Sequence, residues 1–296
     1  MTLPHFLIIG AMKAGTTTFY HDLLSHPGIF MPADKEPHAL TRDAVLTDEG
    51  RAAYAALFAP ATPDQKCGEA STGYTKLPDY PGVPHRAKAV LGPGVKLIYL
   101  MREPVARIIS HNHHRFTAGI FKQGDIARNL REHPELLNWS RYAMQARAWI
   151  DEFGRDALLL IRFEDYVSDR RAWIARAQRF IGVEPRPDLV NVDVYYNQSE
   201  GKPVMTDAWR AVRKYSGYRR FLRPLLPSSI KQRLRSMVLP KAPPRPDPPN
   251  AETVAWIIDQ LREDLAELRR LMGLDAPVWD MNAVAARAPR EPREPA

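Results

Sequence analysis

Residues 10–18 read Gly-Ala-Met-Lys-Ala-Gly-Thr-Thr-Thr, a short segment rich in groups that bind anions. An apolar run at residues 6–9 precedes it, and a helix is predicted over residues 16–25. A turn from a strand into a helix directs unpaired N–H groups and the positive helix end at one point. Gly15 lets a phosphate approach the backbone, while Lys13 and the threonine hydroxyls add donors. The segment therefore predicts a phosphate-binding loop.

The spacing of this loop differs from that of a Walker A motif. Gly10 and Gly15 have the G-x4-G spacing, but Thr16 stands where the Walker lysine belongs and Lys13 comes earlier. The usual nucleotide triphosphatase geometry is therefore broken. A P-loop kinase or NTPase remains an alternative, which preferential binding of Mg-ATP would favour.

A second anion-binding pair follows the apolar run at residues 95–101. Arg102 stands at the end of this predicted strand, where ligands of open α/β sheets bind. Ser110 lies about two turns into the helix predicted over residues 105–115, with Pro104 near its first turn. An arginine fork and a hydroxyl can hold one phosphate between them.

The elements that must position these residues alternate along the chain. A third buried strand is predicted at residues 157–163, and helices at residues 141–153, 171–181 and 251–272, with Gly273 as a C-cap. This alternation predicts an α/β fold, with a P-loop-like, doubly wound parallel sheet flanked by helices. We expect one domain over residues 1–283, including a basic helical stretch and Pro-rich connector at 208–249, and a disordered tail at 284–296.

Together the two motifs resemble those of the sulfotransferases that use 3′-phosphoadenosine 5′-phosphosulfate (PAPS). In that family a lysine precedes G-T-T in the 5′-phosphosulfate loop, and R-x-P-x-x-R-x-x-S holds the 3′-phosphate; the resemblance spans roughly residues 5–280. It implies transfer of a sulfuryl group from PAPS to a hydroxyl or amine, with PAP as the product. The PAPS-binding residues implied are Lys13, Ala14, Gly15, Thr16, Thr17, Thr18, Arg102, Ser110 and, from a loose match to a loop that closes over the nucleotide, Lys202.

A general base for the acceptor hydroxyl is expected beside the nucleotide motifs. The segment Lys35-Glu36-Pro37-His38 resembles the K-E-x-H segment of heparan-type and bacterial carbohydrate sulfotransferases, which implies that Glu36 is the base and His38 its neighbour. This pattern favours a carbohydrate or glycolipid acceptor. A competing base is a histidine of the acceptor pocket, since His111 and His114 share a face of the helix that carries Ser110.

The segment that begins Gly68-Glu69-Ala70 resembles the family's G-E-K-S-P-x-Y element but departs from it at one position. Relatives have a lysine that approaches the transferred group where this chain has Ala70. Either Lys13 acts without that helper, or Lys66 or Lys76 replaces it. Glu69 is a candidate acceptor contact, or else a partner of an arginine.

Composition limits the remaining possibilities. The net charge is +8, and the eleven Lys and Arg of residues 208–246 account for it, since removing them leaves −3. This stretch predicts either a basic helical face or a peripheral contact with anionic lipid, and a non-catalytic protein that binds membranes or polyanions through it is a third hypothesis. No nucleic-acid module and no metal-ligand spacing occur in the sequence. One cysteine, no signal-peptide pattern and no apolar run of about 20 residues predict a cytoplasmic protein.

Overall fold

Five strands form a single sheet in the computed structural model, which describes residues 2–196 and 248–289. The strands are β1 (Phe6–Gly10), β2 (Ile29–Phe30), β3 (Lys66–Ala70), β4 (Lys96–Met101) and β5 (Leu158–Arg162). Their order across the sheet is β2-β3-β1-β4-β5, and every neighbouring pair is parallel. The predicted α/β fold with a parallel sheet is confirmed.

The strands that the sequence predicted are the ones that contain a continuous apolar run. β1, β4 and β5 match the predicted apolar runs to within one residue at each end. β2 is only two residues long, and β3 carries a lysine and a glutamate, so neither gives an apolar pattern. β3 nevertheless packs tightly on β1, since a Cβ at Gly68 would lie 2.1 Å from the Phe6 ring.

In the described residues, helices lie in the connections between the strands and after β5. They are α1 (Thr16–Leu24), α2 (Asp48–Ala56), α3 (Val83–Leu91), α4 (Pro104–Thr117), α5 (Ile126–Glu132), α6 (Glu135–Asn138), α7 (Tyr142–Phe153), α8 (Phe163–Ser168), α9 (Arg170–Ile181), α10 (Ala251–Met272) and α11 (Met281–Ala286). The five helices that the sequence predicted are present, with end points that differ by at most two residues. α10 has the predicted bounds because Asn250 caps its start and Gly273, at φ 66°, ends it.

The strand order places helices on both faces of the sheet. The chain moves in one direction across the sheet from β1 to β2, and in the other from β3 to β4 and from β4 to β5. Because such crossovers are right-handed, α1 lies on one face and α3 and α7 lie on the other. The contacts agree: α1 packs against α9, and α3 packs against α7.

The long helix α10 joins two groups of buried side chains. Its Leu268 lies in the main core around the sheet, while its Val254, Ile257 and Leu261 lie in a second cluster with residues of α4, α5 and α6. Val284 of α11 packs on this second cluster. The predicted disordered tail is therefore wrong at its start, because Asp280 caps α11 and tertiary packing holds residues beyond 283.

Other predictions concern segments that the structure does not describe. The basic stretch at residues 208–246, most of the Pro-rich connector and residues 290–296 lie outside the described residues. Among the described helices, none has the length and hydropathy needed to cross a membrane.

Candidate active site

A cavity of about 420 Å³ opens where β1, β3 and β4 end. The chain runs from β1 towards the β2 edge of the sheet and from β4 towards the β5 edge, so the ends of these two neighbouring strands form the topological switch point at which open α/β sheets bind ligands. The loops that follow these three strands supply Lys13, Thr72 and Arg102 to the cavity. A volume of this size is within the range of small-molecule sites.

The loop after β1 ends in a helix start that is left open. Gly15 is the N-cap of α1 at φ 80°, and among the described residues no side chain caps this helix. A Cβ at Gly15 would lie 2.6 Å from the Phe163 ring, so both the backbone angle and the contact require glycine. The N–H groups of the first turn of α1 therefore have no side-chain partner among the described residues. Lys13 and Thr16 line the cavity beside them, which gives the loop the donors of an anion site.

The start of α4 is built differently. The Glu103 carboxylate accepts hydrogen bonds from the N–H groups of Val105, at 2.6 Å, and Ala106, at 2.9 Å. This helix end is already satisfied by its own chain, so anion binding here depends on side chains. Arg102 and Ser110 both line the cavity, and the Arg102 guanidinium lies 5.2 Å from the centre of the Phe163 ring.

The loop that carries Glu36 is fastened to the end of β3. The N–H of Glu36 donates to the carbonyl of Ala70 at 3.0 Å, and the N–H of His38 donates to Ser71 Oγ at 3.2 Å. His38 packs directly on Gly73, where a Cβ would lie 2.6 Å from Nδ1 of the histidine. These contacts hold the Glu36 side chain at the wall of the cavity.

The Glu36 carboxylate has three polar neighbours. Lys35 Nζ donates to Oε1 at 2.8 Å, Thr72 donates to Oε2 at 3.2 Å, and His38 Nε2 lies 3.3 Å from Oε2. Burial alone would raise the pKa of Glu36, but the hydrogen bond from His38 and the charge of Lys35 outweigh it and lower the pKa to about 2. The carboxylate is therefore ionised throughout the neutral range.

Left-handed backbone angles recur at this site. Lys13, Glu36 and His38 have φ values of 71°, 66° and 53°, which side-chain-bearing residues rarely adopt. Strain of this kind persists only where the surrounding contacts hold it, and it concentrates at functional sites. Its presence at Lys13 of the phosphate loop, at the predicted base Glu36 and at the neighbouring His38 supports a functional role for these loops.

Two tyrosines close one side of the cavity. Tyr195 and Tyr196 line it, and the backbone N–H of Tyr196 donates to Thr18 Oγ1 at 3.1 Å. Tyr196 also stacks on His21, with ring centres 3.8 Å apart. Lys202, predicted from the match to a loop that closes over the nucleotide, lies outside the described residues.

Two predicted acceptor contacts lie outside the cavity, and the first is Glu69. This residue is 1% exposed, and its carboxylate accepts hydrogen bonds from Tyr54, Tyr74 and Ser71. Burial raises the pKa of Glu69 to about 6, although these hydrogen bonds act in the opposite direction. The proposed acceptor role of Glu69 is therefore wrong for this structure, and so is its pairing with an arginine, because the tyrosines provide its partners.

Packing separates His111 and His114, the two histidines of α4 that the sequence assigns to the acceptor pocket. His114 lines the cavity, whereas His111, the second contact outside it, is fully buried and stacks on Trp139 with ring centres 4.9 Å apart. Arg115 Nε donates to His111 Nε2 at 3.2 Å. Burial and the charges of Arg107 and Arg115 hold the pKa of His111 well below its usual value. The assignment of His111 to the acceptor pocket is therefore wrong, while that of His114 remains a prediction.

Some residues of the cavity were not predicted from the sequence. Phe163 lies beneath both Gly15 and Arg102, and Thr72 donates to Glu36. Phe163 is the first residue after β5, and Thr72 is the second after β3. Their positions at strand ends were the available signal.

Comparisons with known proteins agree with this geometry. The family model described as "Sulfotransferase domain" matches residues 3–207, which is more than half of the chain. The chain belongs to the sulfotransferase family. The PAPS-dependent sulfotransferase resemblance stated from the motifs is confirmed at the level of the family.

The relatives include curated enzymes and a solved structure. The mouse (Mus musculus) heparan sulfate glucosamine 3-O-sulfotransferase 3B1 is 28% identical over 70% of this chain and 52% of that protein. The mouse heparan sulfate glucosamine 3-O-sulfotransferase 6 is 27% identical over 80% of this chain and 69% of that protein. A sulfotransferase from Alicyclobacillus acidocaldarius has the same fold, with a TM-score of 0.60, 22% identity, and coverage of 97% of this chain and 100% of that one. The chain spans about half the length, 52%, of the first of these curated relatives.

Proposed function

We propose that this sulfotransferase-family protein transfers the sulfuryl group of PAPS to a hydroxyl group of a carbohydrate or glycolipid acceptor. One observation carries the proposal: a single cavity joins the open start of α1, the Arg102–Ser110 pair and the Glu36 carboxylate. The first two suit a nucleotide with phosphates at two separate positions. The third suits deprotonation of a hydroxyl beside that nucleotide.

The donor fits the charged and hydrogen-bonding groups of this cavity. The N–H groups of the first turn of α1, with Lys13, would hold the 5′-phosphosulfate. Arg102 and Ser110 would hold the 3′-phosphate, with the arginine as a charged fork. PAPS supplies the sulfuryl group and leaves as PAP. Phe163 sets the distance between the two phosphate sites, because both Gly15 and Arg102 rest against its ring.

Separate residues accept the proton of the acceptor and stabilise the leaving phosphate. Glu36 accepts the proton of the acceptor hydroxyl, and Lys13 with the α1 amides stabilises the charge that develops on the leaving phosphate oxygen. Lys35 connects these two parts, since its Nζ lies 2.8 Å from Glu36 Oε1 and 3.5 Å from Thr16 Oγ1. An anion at the start of α1 would attract Lys35 away from Glu36 and raise the pKa of the carboxylate towards a value better suited to a base.

The carbohydrate acceptor rests on two supports. The Lys35–His38 segment resembles the corresponding segment of carbohydrate sulfotransferases. Its hydrogen bonds to Ala70 and Ser71 hold it at the wall of the cavity. The curated relatives are named for heparan sulfate glucosamine. Amine acceptors and a small phenol or alcohol remain the alternatives, and His114 is the competing base.

The test is transfer of label from ³⁵S-PAPS to three separate acceptors: a heparan sulfate oligosaccharide, a glycolipid and a small phenol. We expect labelled carbohydrate, with the sulfated position assigned by mass spectrometry. Labelled phenol without labelled carbohydrate would contradict the acceptor class. Tighter binding of Mg-ATP than of PAP, measured by calorimetry, would instead support the kinase or NTPase alternative.

A further inference from the structure

Lys76 is a cation of the cavity wall that belongs to neither of the two PAPS-binding motifs. It directly follows a short helical turn, Thr72–Thr75, at the end of β3 and is half-buried. It lines the same cavity as Lys13, Glu36 and Thr72. Its position is therefore on the acceptor side of the phosphate loop, next to the proposed base.

An aromatic ring rather than a carboxylate holds the Lys76 ammonium. Nζ lies 4.4 Å from the centre of the Trp139 ring, and Trp139 is fixed by a hydrogen bond from its Nε1 to Asp79 Oδ2 at 2.7 Å. Within residues 2–196 and 248–289, no carboxylate oxygen lies close enough to Lys76 Nζ, 4.0 Å or less, to form a salt bridge. A cation–π contact leaves the N–H donors of the ammonium available to an anionic oxygen in the cavity.

The resemblance to related sulfotransferases implies a cation near the end of β3, which this chain does not have at residue 70. Ala70, where related sulfotransferases carry a lysine, is 1% exposed and cannot contact a ligand through charge. Lys66 begins β3, at the end of the strand opposite to Ala70, and does not line the cavity. Of the two lysines near β3, Lys66 and Lys76, only Lys76 lines the cavity.

We propose that Lys76 is a catalytic residue whose ammonium binds the sulfuryl oxygens during transfer, in the place of the lysine missing at Ala70. This proposal rests on the proposed function. The bond from sulfur to the bridging phosphate oxygen breaks while a bond from sulfur to the acceptor oxygen forms, and the acceptor proton passes to Glu36. Lys76 keeps its proton throughout. It neutralises negative charge on the oxygens of the transferred group, while Lys13 acts at the leaving phosphate.

The surroundings of Lys76 give the proposal a pH signature. Burial lowers the pKa of Lys76 to about 8; Glu36 and Asp79 act to raise it, and Arg115 and Arg107 act to lower it further. The active form is the protonated one. Activity that depends on Lys76 is therefore complete below this pKa and is lost as the pH rises through about 8.

Two histidines of α4 also lie near this group. His111 stacks on the same Trp139 ring, and burial with the neighbouring cations holds its pKa well below the usual value. It is therefore already neutral at the pH at which Lys76 titrates. His114 lines the cavity beside Lys76, so a matched variant, His114→Gln, separates its contribution to the pH profile.

The experiment compares Lys76→Met, Lys76→Arg and the control Lys66→Met with the wild type, using ³⁵S-PAPS and a heparan sulfate oligosaccharide. A charge-assisted hydrogen bond made in the transition state predicts a fall of about 10-fold to 150-fold in kcat for Lys76→Met. PAP affinity by calorimetry should remain within about threefold, since the lysine acts on the transferred group, and Lys66→Met should keep wild-type kcat. Lys76→Arg should retain activity and extend it above pH 9, because an arginine stays protonated there.

Other outcomes would overturn the proposal. Wild-type kcat in Lys76→Met would show that the ammonium does not act on the transferred group. A raised KM for the acceptor with unchanged kcat would make Lys76 an acceptor-binding residue instead. Loss of activity in Lys76→Met and Lys76→Arg alike, with a lowered melting temperature, would indicate a structural role. If the wild type itself transfers no label to any acceptor, the proposed function fails first.

Discussion

Replacing Glu36 by glutamine removes the proposed base with little change of shape. The amide oxygen of the introduced glutamine can accept from Lys35 as Oε1 of Glu36 does at 2.8 Å, and its amide nitrogen can donate to Thr72 or His38. The loop should keep its position, because the backbone N–H groups of residue 36 and of His38 remain bonded to the end of β3. The change removes the negative charge of the side chain and, with it, the ability to accept a proton.

The expected fall in rate for Glu36→Gln follows from the contribution that a general base makes to catalysis. A positioned general base contributes about 100-fold to 10,000-fold to the rate. At about 1.4 kcal/mol for each factor of ten, this corresponds to about 3 to 5 kcal/mol of transition-state stabilisation. In the free protein the pKa of Glu36 is about 2, and bound PAPS is expected to raise it by drawing Lys35 away, so the loss should be largest at pH values at which Glu36 is ionised in the complex.

The assay measures kcat and KM with saturating PAPS, and PAP binding by calorimetry. We expect kcat to fall by at least about 100-fold and PAP affinity to change by less than about threefold. Glu49→Gln, an exposed carboxylate in the first turn of α2, serves as the matched control and should behave as the wild type. A kcat for Glu36→Gln within about threefold of the wild type would refute the assignment of the base and favour His114.

Three further predictions follow from separate features. Arg102→Met should weaken PAP binding by about 10-fold to 150-fold, because one charged hydrogen-bonding group is lost, and should leave AMP binding unchanged; an equal loss for AMP in calorimetry would contradict the role. Lys35→Met should raise the pKa of Glu36, so the acid limb of kcat/KM should move to higher pH; an unchanged limb would contradict the coupling. Arg170→Met should lower the free energy of unfolding by about 3 to 5 kcal/mol in urea titrations, since it leaves the buried Asp22 carboxylate unpaired, whereas Arg186→Ala, from an exposed ion pair, should cost less than about 1 kcal/mol; equal costs would refute this.

Much of the donor side of the site could be predicted because local sequence determines it. Lys13, Gly15 and Arg102 each follow a strand end, and parallel strands bring their ends to one edge of the sheet. The bounds of α10 were predictable for a similar reason, since Asn250 and Gly273 mark its ends by their own backbone preferences.

The acceptor side depends on packing between distant segments, which no local pattern encodes. Glu69 looks like an available carboxylate, yet Tyr54 and Tyr74 bury it. His111 and His114 share a helical face by spacing, but the Trp139 ring covers only the first. Lys76 reaches the cavity because it follows the turn after β3. This strand was not predicted, because its lysine and glutamate break the apolar pattern.

The donor claim underlies every role assigned here, and a calorimetric comparison of PAP with AMP tests it most directly. The two nucleotides differ by the 3′-phosphate that Arg102 and Ser110 are proposed to hold. We predict that the wild-type protein binds PAP about 10-fold to 150-fold more tightly than AMP, as one charge-assisted contact group would give. Equal affinity for PAP and AMP, or no binding of PAP, would contradict the account.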